Sequence, residues 1–180
     1  MKNQNTKKMA YAALFLALCL VLPMLTGQIP QIGSMLLPMH IPVLLCGLVC
    51  GWQYGAAVGF VAPLLRSVLF GMPPMYPVAI AMAFELLTYG LVIGLVYRRM
   101  AQKGAAGVYA ALLTAMVAGR IVWGVAEVVL LGLGGKAFTA QAFLAGALLN
   151  AVPGIIVQLV LIPAVMAALQ KAGAVKEYAE

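Results

Sequence analysis

The chain contains no aspartate and only one histidine, and its four acidic residues are all glutamates. Charged residues make up 8% of the sequence, against about 25% in a typical soluble domain. Without aspartate, aspartate-dependent lipid phosphotransfer is excluded. HExxH, GxSxG and the Walker lysine loop are missing as well, so metal-dependent proteolysis, a serine elbow and direct nucleotide cleavage find no residues to carry them. The three cysteines, Cys19, Cys46 and Cys50, fall in apolar segments where no disulfide framework is expected. Cys46 and Cys50 share a helix face but lack a neighbouring His or acid, so they read as small packing residues. No metal and no cofactor is expected in this chain. Nor does Leu22-Pro-Met-Leu-Thr26 offer a small-x-small cleavage site, so the first apolar stretch is expected as a span and not a signal peptide.

What the sequence has in abundance is apolar length. Hydrophobic residues reach 65%, with a mean hydropathy of +1.07. The runs are continuous and do not alternate with period two, which favours helices over a barrel. The expected fold is therefore an all-α integral membrane protein: one domain over residues 1–180, with six transmembrane helices near 9–25, 38–50, 54–70, 77–97, 108–131 and 140–169. The formal charge of +7 is explained by placement. Lys2, Lys7, Lys8, Arg98, Arg99, Lys103, Lys171 and Lys176 fall in three flanks that would share one side, whereas Lys136 is the only basic residue in the opposite loops. By the positive-inside rule both termini are cytoplasmic, in agreement with an even number of spans. Nucleic-acid binding is not needed to account for the charge.

Several polar residues sit where lipid should exclude them. Arg66, Glu85, Arg120 and Glu127 are expected within or at the edge of the hydrocarbon region, where each would cost about 2.5–3.5 kcal/mol at a helix centre. They must face the interior. They then form either structural ion pairs locking helices together or a site for a polar solute. Glu85 and Tyr89 share a face one turn apart, and Arg120, Trp123, Gly124 and Glu127 form one stripe at i, i+3, i+4 and i+7. His40 taken alone suits a capping or interfacial role. Together with Asn150, these residues outline a candidate substrate site of His40, Arg66, Glu85, Tyr89, Arg120, Trp123, Glu127 and Asn150. The aromatic rings would suit a planar solute, and the 26–37 and 71–77 loops could cover an outward-opening cavity. Gly47, Gly51, Gly55 and Gly59, spaced by four, are expected to allow close packing of a helical hairpin. In the first span Ala13 and Ala17, four apart, offer a small face for another helix.

Residues 38–98, from Met39-His-Ile-Pro-Val through Pro63-Leu-Leu-Arg66 and Gly71-Met-Pro-Pro-Met-Tyr-Pro77 to Glu85-Leu-Leu-Thr-Tyr89 and Tyr97-Arg98, resemble the substrate-binding S components of energy-coupling factor (ECF) vitamin transporters. The resemblance extends over essentially the whole chain. It implies a six-helix bundle with an outward-facing pocket and binding of a water-soluble vitamin or precursor in a prokaryotic cell membrane. It also implies a complex with an ECF transmembrane coupling subunit and two cytoplasmic ATPase subunits. Ala13 and Ala17 match the family's AxxxA contact with the coupling subunit, although Met9 and Val21 break the longer repeat. The implied mechanism is binding, loop closure and tipping of the whole component in the bilayer, with ATP hydrolysis in the partners. Arg66 and Arg120 favour a carboxylate such as a pantothenate-like acid. Glu85 or Glu127 could instead accept paired N–H groups from a pterin, folate or deazaguanine ring. The competing expectations are a stand-alone proton-coupled secondary transporter and a small intramembrane enzyme.

Overall fold

The computed structural model describes residues 2–25, 35–135, 137, 139–146 and 151–173. Its elements are α1 (Lys2–Leu25), α2 (His40–Cys50), α3 (Trp52–Phe70), a π turn at Met75–Ala79 leading into α4 (Ile80–Met100), a 3-10 turn at Ala101–Lys103, α5 (Ala105–Leu133), the short α6 (Ala140–Leu144) and α7 (Val152–Lys171). The described residues include no strand. Five segments are long and apolar enough to cross a membrane: Gln4–Leu25, Trp52–Phe70, Met75–Met100, Ala105–Leu133 and Val152–Lys171.

The expected second span is the exception. The 11 residues of α2 reach about 16 Å at about 1.5 Å per residue, roughly half of a hydrocarbon core about 30 Å thick. A helix this short is tolerable because it meets almost no lipid. It packs against α1, α3, α4 and α7, and nine of its residues are buried. The expected last span also differs. Residues 140–169 hold α6 and then α7, with Pro153 in the first turn of α7, where its missing N–H costs no helical bond. Asn150 and residues 26–34, which make up most of the outer loop expected to act as a cover, lie outside the described residues.

Small residues set the spacing of the middle layer. A Cβ on Gly55 would stand 2.6 Å from the Gly47 Cα and 2.8 Å from the Gly90 carbonyl oxygen, and one on Gly94 would stand 2.5 Å from the Trp52 nitrogen. A Cβ on Gly59 would run into the Leu86 carbonyl. The four-residue glycine spacing thus brings α3 against both α2 and α4, a third helix that the hairpin expectation did not include. Gly51, at φ +98°, has a different task. It makes the turn between α2 and α3 in a conformation that side chains disfavour.

Further ties fix the ends of the bundle. Gln170 Nε2 donates to Tyr97 Oη at 3.2 Å, which puts the C-terminal ends of α4 and α7 side by side. Arg98, Arg99 and Lys171 lie in those last turns, where positive charge complements the helix dipole. Glu85 is thirteen residues before Arg98 on α4, about 20 Å along the axis, so the bundle has a basic end and a polar cluster well away from it. At the other end of α4, Tyr76 Oη donates to the Leu130 carbonyl, holding the Met75–Ala79 turn against the end of α5.

Candidate binding site

The site is built where α2, α4 and α5 face one another. His40 opens α2, Glu85 lies in the second turn of α4, and Arg120 is midway along α5. Glu85 Oε1 stands 3.0 Å from Arg120 Nη1 and 3.5 Å from His40 Nε2. Tyr89, one turn after Glu85, meets the His40 ring edge-on with centroids 5.2 Å apart. Its ring also lies where a Cβ on Gly119 would approach to 3.0 Å, so glycine at 119 is what lets α5 close over it. His40, Glu85 and Tyr89 are each at most 2% exposed and Arg120 is 13% exposed.

The charges attract one another but do not complete one another. His40 Nδ1 and Nε2, Glu85 Oε1, and Arg120 Nε and Nη2 are all buried with no hydrogen-bond partner among the described residues. Buried polar atoms are ordinarily matched, and each one left over costs about 1–3 kcal/mol.

The α5 stripe faces inward as its spacing predicts. Gly124 and Glu127 are buried, while Ile121, Val125 and Val128 are exposed on the opposite face. Trp123 is half-buried. The Arg120 guanidinium lies 5.9 Å from its ring, and Phe143 of α6 stacks on it at 6.1 Å and 27°. Phe143 gave no signal in the sequence because nothing marks a lone aromatic on a five-residue helix as a stacking partner. Gln158, buried to 1% on α7 with Nε2 unpartnered, was legible as a polar residue in an apolar helix but not as part of any cluster.

Arg66 is placed elsewhere. Its Nη1 donates to the Leu20 carbonyl of α1, within one turn of Pro23, whose ring removes a helical N–H at that point. Its guanidinium lies 5.3 Å from the Phe70 ring. No described ion pair joins it to Glu85. Arg66→Ala is therefore expected to lower stability by about 1–3 kcal/mol through the lost carbonyl bond while leaving solute retention unchanged. Unfolding midpoints and native mass spectra of the purified variant check both halves.

The three cysteines lie in the apolar core, with Cys19 Sγ 3.6 Å from the Met39 carbonyl oxygen. Ala13 and Ala17, with Ala10 and Leu14, are exposed along one side of α1.

No curated protein and no solved structure matches this chain. The family model described as "ECF transporter, substrate-specific component" matches residues 7–167, nearly the full length and including every helix of the site. The protein belongs to that family of multi-pass membrane transporter components.

Proposed function

We propose that the chain binds a small water-soluble solute, a vitamin or vitamin precursor, at the His40–Glu85–Arg120 cluster and delivers it across the cell membrane. It does so as the substrate-specific component of an ATP-driven ECF importer. The observation that carries this reading is the set of buried, unpartnered polar atoms on three helices, which a bound solute would satisfy. Tyr89, Trp123 and Glu127 complete the walls, and α2 counts as a sixth, shortened span enclosed by its neighbours. Both termini face the cytoplasm, in keeping with the basic residues at the ends of α4 and α7. The exposed alanines of α1 are the face offered to the coupling subunit, and ATP hydrolysis takes place in two partner subunits.

Native mass spectrometry of the full-length purified protein tests the binding step. The expected result is a co-purifying small molecule, released unchanged on denaturation. A chemically altered product formed by the purified chain alone would instead support an enzyme. Uptake of that molecule into cells is expected to require the coupling and ATPase subunits. Uptake that persists without them and collapses with the proton gradient would favour a stand-alone carrier.

A further inference from the structure

The leftover hydrogen-bonding capacity at the site is lopsided, and its sign constrains what a solute must bring. On the acceptor side stand the buried Glu127 carboxylate and Glu85 Oε1, which Arg120 Nη1 flanks at 3.0 Å and His40 Nε2 at 3.5 Å but which has no hydrogen bond among the described residues. The unpartnered N–H groups outnumber them. The unpartnered Arg120 Nε and Nη2 carry only N–H and can only donate. His40 contributes a donor and an acceptor when neutral.

Gln158 adds to the donors. Its Nε2 is buried and unpartnered among the described residues, with the residue 1% exposed. Its position follows from register. A Cβ on Gly154 would stand 2.6 Å from the Met35 carbonyl oxygen and 2.9 Å from the Leu36 carbonyl, so the first turn of α7 sits on the backbone just before α2. Gln158 is one turn further along that face of α7, and His40 is four residues beyond Leu36. Both helices run from this contact toward the basic end, and α7 packs against α2. This register brings Gln158 toward the His40 end of α2, on a helix that packs against both α2 and α5.

We infer that Gln158 is part of the binding site, and that the solute presents hydrogen-bond acceptors, a carboxylate or ring carbonyls, to Arg120 and Gln158. It does not present a cationic amine or amidine to Glu85. This rests on the solute-binding reading above. It favours one of the two chemistries open at the sequence level, because Arg120 at 3.0 Å already balances the charge of Glu85 and the unpartnered N–H groups are the larger demand.

The test uses the full-length protein in lipid nanodiscs and, as probe, the small-molecule extract of the cells that express it. Ion exchange divides the extract into a fraction retained by a cation exchanger and the anionic and neutral remainder. Thermal unfolding is followed with each fraction, and every variant is compared with its own midpoint without extract. The remainder is expected to raise the wild-type midpoint at lower dose than the cationic fraction. Gln158→Glu and Gln158→Met, which keep the length of the side chain but remove its N–H donors, are expected to need at least about tenfold more extract for the same shift. A stronger shift from the cationic fraction overturns the acceptor assignment and leaves solute binding standing. No shift from either fraction overturns both. Undiminished shifts in both Gln158 variants remove that residue from the site.

Discussion

Glu85→Ala is expected to lower the stability of the purified protein by about 3–5 kcal/mol and to abolish retention of any co-purified solute. The first effect is the cost of stranding a buried charge. Arg120, 3.0 Å away and 13% exposed, would lose its counter-charge inside an apolar bundle, and removal of one partner of a buried pair is penalised on that scale. The informative comparison is the double variant Glu85→Leu/Arg120→Met. With no stranded charge left, most of the lost stability should return, since well-packed apolar side chains often replace buried ion pairs at little cost. Retention of the solute should not return, because the groups that meet it are gone. Unfolding midpoints together with native mass spectra of the wild type, the single variant and the double variant provide the readout. If the double variant still carries the small molecule, the pair is a structural lock and the site lies elsewhere.

The second large effect concerns backbone contact. Gly90→Ala places a methyl group into the Gly55 backbone on α3, an obstacle that no rotamer change can relieve. Overpacking usually costs about 1–3 kcal/mol. Here rigid main chain must yield on both helices, so a loss of at least about 3 kcal/mol is expected, with little protein recovered folded from the membrane. Gly132→Ala on α5 is the control. A Cβ there meets nothing within 4 Å, and replacing a helical glycine with alanine should gain up to about 1 kcal/mol. Parallel yields and unfolding midpoints for the two variants settle it, and equal midpoints would mean that α3 and α4 can part without penalty.

Much of this architecture could be read before any coordinates. Long apolar runs broken by Pro and Gly located α1, α3, α4 and α5, because lipid solvation leaves a backbone few other options, whereas the expected 140–169 span holds α6 and then α7. The i, i+3, i+4, i+7 stripe placed Gly124 and Glu127 inward, and the Glu85–Tyr89 spacing put both on one buried face. The partners of these groups could not be read. His40 looked interfacial because a lone histidine at a helix start has no sequence cue for Glu85, forty-five positions away. Burial of Arg66 was predictable from hydropathy, but its bond to the Leu20 carbonyl was not, because no sequence cue pairs α3 with α1. Similarly, the Gly47–Gly59 spacing announced a close approach without naming Gly90 and Gly94 as the other side.

At Gly47, Gly55 and Gly90 main chain approaches main chain, with the Ile93 side chain wedged beside Gly47. Along that seam α2, α3 and α4 have little room to shift past one another. Gln158, by contrast, rides on a helix tied to that layer near its two ends, at Gly154 over the Met35–Leu36 backbone and at Gln170 on Tyr97.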